Sequence, residues 1–211
     1  MERIISHYKF SILIIYTPES NRDTIDSMVK PRTRLILKEI KQVLDHVDEK
    51  QAIDFINVIL SARRIVVCGA GRVGIATSAF GMRLSQLGLS AFSIGDSNVP
   101  SIGKRDVLLT ASGSGETQTI IDITSRAKQN EVKIALITAS PKSRLAQMAD
   151  CILILNSPTK YSDHKSIETK QPMTALNEQC LWIFYDSLVL ELMEIMGETS
   201  QSMWARHSTL E

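Results

Sequence analysis

Hydrophobic positions along the chain divide it into segments of helical and of extended character. From Thr33 to Val47 apolar residues recur every three or four positions, which predicts an amphipathic helix, and a second helix is predicted over residues 49–61. Ile65-Val66-Val67-Cys68 then forms a continuous apolar run. Such a run is typical of a strand that is buried on both faces of a parallel sheet.

This alternation continues as far as residue 155. It predicts helices over residues 73–87, 116–130 and 143–148, and strands over residues 65–68, 91–94, 107–111, 133–138 and 151–155. Strands that alternate with helices indicate an α/β fold. We therefore predict a three-layer, doubly wound, five-stranded and mostly parallel sheet with helices on both faces.

The last predicted helix opens at Pro172 and runs to about Met196. Its residues are apolar nearly all round, and the core of one domain cannot cover every side of such a helix. A second packing surface is needed, so we predict a homo-oligomer.

The segment Met1–Ser27 is predicted to be an N-terminal extension or linker ahead of a single domain over residues 28–211. Its one apolar stretch is Phe10–Tyr16, whereas a membrane-spanning helix needs about 20 apolar residues, and the polar residues that follow do not resemble a signal-peptide cleavage site. We expect no membrane partner. An added edge strand is the alternative interpretation of this stretch.

Composition restricts the classes of function. Hydrophobic residues make up 44% of the chain and charged residues 22%, which is typical of a globular protein, and 24 basic against 23 acidic residues give no basic field for nucleic acid. Cys68, Cys151 and Cys180 lie far apart and form no CxxC pair. They indicate neither disulfides nor a zinc site, and they fit a reducing cytoplasm.

Two glycine-rich turns each follow a predicted strand. The first, Gly69-Ala70-Gly71-Arg72-Val73-Gly74, matches the GxGxxG pattern of dinucleotide-binding sites, and Asp96 lies about twenty residues further on, where it could accept a hydrogen bond from a ribose hydroxyl. Arg72 counts against a nicotinamide cofactor. Its positive charge inside the turn suits a carboxylate, a phosphate or sugar oxygens.

The second turn, Ser112-Gly113-Ser114-Gly115-Glu116-Thr117, is the more specific signal. Three hydroxyls alternate with two glycines, so that side-chain donors and backbone N–H groups can converge on a small anion at a helix N-terminus. A phosphate monoester fits that description. The alternative is that Ser114 and Thr117 only cap the helix.

Four motifs together resemble the 6-phospho-3-hexuloisomerases, a group within the sugar isomerase (SIS) domain family. They are Gly69–Arg72, Ser112–Thr117, Gln171-Pro172-Met173 followed by Glu178-Gln179, and the ending Arg206–Glu211. The resemblance covers about residues 30–211 and implies a SIS-like, flavodoxin-type fold with N-terminal and C-terminal helices, a homotetramer and no cofactor. The family usually has Ser where Val73 stands, and Glu-Thr near Asp96-Ser97.

The resemblance implies an isomerase that interconverts D-arabino-hex-3-ulose 6-phosphate and fructose 6-phosphate through an enediol or enediolate, as in formaldehyde fixation by the ribulose monophosphate pathway. Glu178 would be the base, and His207 would act as acid or proton shuttle in its own or a neighbouring subunit's site. A solvent-facing or salt-bridged Glu178 and an exposed His207 are the alternatives. No metal ligands are expected, and the expected substrate-binding residues are Gly71, Arg72, Asp96, Ser97, Ser112, Ser114 and Thr117.

Other classes of function remain open. One is a non-catalytic phosphosugar-binding SIS module, and a second is another SIS phosphosugar isomerase. A dinucleotide-dependent oxidoreductase is the third class, but it needs residues for a substrate domain, and only one long helix and a short tail follow the sheet.

Overall fold

Five strands, all paired in parallel, form the central sheet in the spatial order β2-β1-β3-β4-β5. The computed structural model describes residues 22–160 and 167–210. This strand order is the flavodoxin-type order, so the predicted doubly wound fold is confirmed. The strands are β1 (Ile65–Gly69), β2 (Ala91–Ser93), β3 (Val107–Ala111), β4 (Lys133–Thr138) and β5 (Cys151–Ile154).

The helices in the described part of the chain cover both faces of this sheet. Because successive side chains of a strand point to opposite faces, Val67 and Leu109 pack in one core while Val66 and Leu108 pack in the other. The first core includes residues of α2, α3 and α6, and the second includes residues of α4 and α5. The predicted three layers are thereby confirmed. The helices are α1 (Arg22–Leu44), α2 (Glu49–Ser61), α3 (Gly71–Gln86), α4 (Gln118–Gln129), α5 (Arg144–Met148), α6 (Ala175–Met196) and α7 (Ser200–Trp204).

The first helix begins earlier than its apolar period predicts. It starts at Arg22 instead of Thr33 and passes through Pro31, whose surroundings from residue 29 to residue 34 are exposed and show no apolar period. The chain divides into two compact units, residues 1–38 and 39–211. Residues 1–21, including the apolar stretch Phe10–Tyr16, lie outside the described residues, and the domain division between residues 27 and 28 stays a prediction.

The long C-terminal helix α6 begins at Ala175, three residues after its predicted start. Thr174 stands at the position before the helix but donates its hydroxyl to a side chain and makes no side-chain cap. Gly197, with φ 69°, ends the helix close to the predicted Met196. Within the described ranges, no helix combines the length and the apolar character that crossing a membrane requires.

Candidate active site

A cavity of about 590 Å³ opens at the carboxyl ends of β1 and β3. The chain connection that follows β1 leads to one side of the sheet and the one that follows β3 leads to the other, so the cavity lies at the topological switch point, where open α/β sheets bind ligands. Both glycine-rich turns line it, together with Thr159 and Lys160 after β5 and Met173, Thr174, Asn177 and Glu178 around the start of α6.

Packing between β1 and α3 explains two glycines of the first turn. A Cβ on Gly69 would lie 2.8 Å from Gly74 Cα, and a Cβ on Gly74 would lie 2.6 Å from the Gly69 carbonyl oxygen. The strand and the helix therefore approach each other too closely for a side chain at either position. Gly71 and Arg72, which lie between these two glycines in the chain, line the cavity, and their predicted role in substrate binding stays a prediction.

Hydroxyl groups of the second turn keep protons that they can donate to a ligand. Ser112 Oγ accepts the Gly115 N–H at 3.1 Å, and Ser114 Oγ accepts the Glu116 N–H at 3.2 Å. Because a serine hydroxyl can accept and donate at the same time, these bonds hold the oxygens in place while using only their lone pairs. Ser112, Ser114 and Thr117 all line the cavity.

The N-terminus of α4 faces this cavity without a side-chain cap. Thr117 occupies the cap position, but its Oγ1 lies 3.3 Å from Ser112 Oγ and accepts no N–H group of the helix. The interpretation of Thr117 as a simple helix cap is therefore wrong. The first N–H groups of α4 have no intrahelical acceptor, and the helix dipole places about half a positive charge at this end.

Glu116, which also lines the cavity, is paired with Arg144 at the start of α5. Arg144 donates to its carboxylate from the backbone N at 2.8 Å and from Nε at 2.6 Å. The side-chain hydrogen bond from Arg144 lowers the pKa of Glu116, and the backbone hydrogen bond adds to this effect. The pair offsets a negative charge that would otherwise repel an anion bound at the turn.

Glu178 lies in the first turn of α6, where its carboxylate has two partners. Thr174 donates its hydroxyl to Oε1 at 2.8 Å, and Arg72 Nε donates to Oε2. The side chain of Glu178 is 13% exposed, while that of Arg72 is 70% exposed. The acid is thus both salt-bridged and placed in the cavity, and the more exposed Arg72 is the partner with freedom to move.

Three residues that the sequence suggested as site residues lie elsewhere in this chain. Asp96 and Ser97 sit in an exposed turn after β2 and are not among the lining residues of the cavity. His207 is located by its neighbour Arg206, which donates from Nη1 to the carbonyl oxygen of Gln86 at 3.0 Å. Gln86 is the last residue of α3, at the end of that helix opposite to the cavity. That helix has 16 residues, so its ends are roughly 24 Å apart at about 1.5 Å per residue.

Among the cavity residues that sequence reasoning missed, Thr174 and Asn177 make specific contacts in the site. Thr174 was not singled out, although it stands four positions before Glu178, the spacing at which helical side chains meet. Asn177 is buried, donates from Nδ2 to Ser157 Oγ at 2.6 Å, and packs against Gly113 of the second glycine-rich turn. An amide residue directly before Glu178, in a helix of mostly apolar residues, is the signal that could have indicated it.

The described residues hold no group of three or more His, Cys, Asp or Glu side chains with the arrangement of a metal site. The three cysteines are free, and burial raises the pKa of Cys68 to about 11 and that of Cys180 to about 12. These thiols are protonated at neutral pH and pack as apolar groups.

Comparisons with known proteins find a matching family model, similar sequences and similar folds. The family model described as SIS domain matches residues 58–182. A 3-hexulose-6-phosphate isomerase of Bacillus subtilis is 35% identical over 83% of this chain and 95% of that protein, and one of Mycobacterium gastri is 33% identical over 84% and 88%. A crystal structure of a hypothetical protein from Methanococcus jannaschii, described as inferring a function of 3-hexulose-6-phosphate isomerase, has a TM-score of 0.74 at 26% identity and covers 86% of this chain and 99% of that one.

Proposed function

Because the chain belongs to the SIS domain family, we propose that it is a phosphosugar isomerase that interconverts D-arabino-hex-3-ulose 6-phosphate and fructose 6-phosphate. One observation carries the proposal. A single cavity holds both the hydroxyl-rich turn 112–117, which suits a phosphate, and the carboxylate of Glu178, which suits proton transfer. A ligand whose phosphate occupies the turn presents its carbon chain to the opposite wall.

The phosphate binds, in this proposal, at the N-terminus of α4. Ser114 donates its hydroxyl proton, the pair Ser112 and Thr117 donates the proton that their mutual hydrogen bond leaves free, and the first N–H groups of α4 add backbone donors. Each charge-assisted hydrogen bond contributes roughly 1.5 to 3 kcal/mol, so three or four of them hold a dianion without a lysine in the turn.

The reaction moves one proton between two neighbouring carbons. Glu178 removes the proton from C2 of the 3-ulose, the C2–H electron pair becomes the C2–C3 double bond of a cis-enediolate, and the negative charge moves to O3. Glu178 then returns the proton to C3 while the hydroxyl proton passes from O2 to O3. The product is the 2-ketone, fructose 6-phosphate, and no oxidant or reductant is consumed.

Arg72 stabilises the enediolate oxygen. Its side chain is 70% exposed, so that solvent can hydrate the guanidinium when it leaves Glu178. Thr174 keeps its hydrogen bond to Oε1 meanwhile and so preserves the orientation of the base. Gly71 lines the cavity beside Arg72 and gives the sugar room.

His207 is proposed to act in the cavity of a neighbouring subunit, as acid for ring opening or as proton shuttle. Its neighbour Arg206 is bound at the far end of α3, which is too distant for His207 to serve the cavity of its own chain.

Apolar side chains that α6 exposes, including Trp182, Leu190 and Ile195, are available to an oligomer interface, and we propose a homotetramer. The roles of Asp96 and Ser97 toward sugar hydroxyls stay predictions. We propose a cytoplasmic location, in keeping with the free cysteines.

The test follows fructose 6-phosphate formation from the 3-hexulose 6-phosphate. Wild type should turn over, and Glu178→Gln should lose about a hundredfold or more in kcat, as expected for removal of a general base. Glu191→Gln is the matched control, because Glu191 lies on the exposed side of the same helix. An active Glu178→Gln variant would exclude Glu178 as the base. Binding of fructose 6-phosphate by a wild type that shows no turnover would favour the non-catalytic phosphosugar-binding module instead.

A further inference from the structure

A buried carboxylate that the proposed mechanism does not use lies near the end of α1. Glu39, the first residue of the second compact unit, is only 4% exposed. An ionised group in such a place is strongly unfavourable unless hydrogen bonds replace the water it has lost. Hydrogen-bond donors must therefore surround this carboxylate.

The three donors to Glu39 among the described residues come from one short segment more than 120 residues further along the chain. Thr169 Oγ1 donates to Oε2 at 2.7 Å, Gln171 Nε2 donates to the same oxygen at 2.9 Å, and the Lys170 backbone N donates to Oε1 at 3.1 Å. Thr169 Oγ1 also accepts the Gln171 N–H at 3.0 Å. Burial alone raises the pKa of Glu39, but the hydrogen bonds from Thr169, Gln171 and Lys170 outweigh it and the pKa is lowered. The group is ionised at neutral pH.

This segment leads directly into the cavity. Residues 167–174 contain no helix or strand, so backbone pairing of regular structure does not hold them. Met173, with φ 56°, lines the cavity, and Thr174 donates its hydroxyl to Glu178 Oε1. A displacement of the segment would therefore move the hydroxyl that orients the proposed base.

We propose that Glu39 is a positioning residue for the isomerase reaction, anchoring residues 169–171 so that Thr174 holds the Glu178 carboxylate in its working orientation. This inference rests on the proposed function. Phosphate capture at residues 112–117 does not depend on the segment, because the hydrogen bonds of that turn come from its own residues and from β4 and α5. Loss of Glu39 should therefore affect kcat more than KM.

Glu39→Gln is the variant to test. It keeps the shape of the side chain but replaces one acceptor oxygen by an NH₂ group that must face N–H or O–H donors of the segment. We expect kcat to fall about tenfold to a hundredfold, the range expected when a reacting group is slightly misplaced, while KM stays within about threefold. Amide hydrogen exchange at Lys170 and Gln171 should accelerate, and this measurement does not require that the substrate assignment is correct.

Asp106→Asn is the matched control. Asp106 is a fully buried carboxylate that accepts from the side chain of Arg63 and from the Gly103 backbone N, but it precedes β3 and lies at the end of the sheet opposite to the cavity. It should lower the melting temperature and leave kcat unchanged in the protein that remains folded.

The two assays separate the possible failures. Faster exchange at Lys170 with unchanged kcat in Glu39→Gln would overturn the positioning role, as would an equal loss of kcat in Asp106→Asn. If the wild type does not turn over the hexulose phosphate, the proposed function fails, and the positioning role fails with it even where exchange shows that Glu39 anchors the segment. If Glu39→Gln does not fold, Thr169→Val replaces it, because this variant removes one donor to Glu39 and the acceptor of the Gln171 N–H but leaves the charge of Glu39. It should lower kcat in the same direction by a smaller factor, and an unchanged kcat there would overturn the proposal.

Discussion

Replacing Gly115 by alanine tests whether the second glycine-rich turn, residues 112–117, is held in place by packing. Gly115 has φ 65°, a conformation that alanine adopts only with strain, and an added Cβ would lie 1.9 Å from Ser143 Oγ and 2.4 Å from Ser143 Cβ. Ser143 cannot simply rotate away, since its Oγ accepts the Ala146 N–H and caps α5. The turn or the start of α5 must therefore move.

The magnitude follows from two separate terms. The left-handed backbone conformation costs about 1–2 kcal/mol for a residue with a Cβ, and forcing an extra methyl group into a packed site adds about 1–3 kcal/mol. Gly197→Ala is the matched control, because Gly197 has a similar φ of 69° but no heavy atom within 4 Å of an added Cβ. Loss of freedom in the unfolded chain is the same for both variants. The free energy of unfolding should thus fall further in Gly115→Ala, by about 1–3 kcal/mol.

Thermal and urea unfolding of the two variants measure this difference. In a chain of this size each kcal/mol shifts Tm by roughly 2–4 °C, so the two melting temperatures should be clearly separated. Gly115→Ala should also raise KM for the phosphosugar more than Gly197→Ala does, because the turn carries the proposed phosphate donors. Equal shifts in Tm would refute the reasoning, since they would mean that the contact with Ser143 relaxes without cost.

Two further predictions concern paired charges. Arg144→Gln should raise KM several-fold with kcat little changed, because the unpaired Glu116 would then repel the phosphate. Adding Glu116→Gln in the same chain should restore much of the affinity, and steady-state kinetics that show an unchanged KM for Arg144→Gln would contradict this reasoning. The side-chain hydrogen bond from Arg206, with that from Ser202, lowers the pKa of Glu198 to about 2. Because the folded-state pKa is depressed, the stabilisation by this pair is present above the ordinary value of 4.5 and disappears as the pH falls towards 2. NMR titration of the Glu198 carboxyl carbon checks it, and a midpoint near 4.5 would show that the pair does not form in solution.

Local patterns were sufficient to predict the fold because each element carries its own signal. A buried parallel strand is a short apolar run, an amphipathic helix repeats every three to four residues, and both signals lie within a few positions of one another. The strands and the long α6 were predicted within a few residues for this reason. The start of α1 was missed, since residues 29–34 around Pro31 are exposed and interrupt the apolar period.

The second turn was also recognisable from sequence alone, because alternating hydroxyls and glycines after a buried strand have a local chemical meaning. Which residues share the cavity with it depended on contacts between distant parts of the chain. Arg72 meets Glu178 across 106 positions, and Glu39 meets Gln171 across 132. No periodicity encodes such separations.

Sequence by itself therefore determined the order of the elements and the chemistry available at the ends of the strands. Tertiary structure decided which groups meet: it left Thr117 without a capping role, put Thr174 on the proposed base and carried His207 to the far end of α3. The physical reason is that propensity and polarity act between neighbours in the chain, whereas the parallel sheet brings together residues whose pairing is set only when its layers pack.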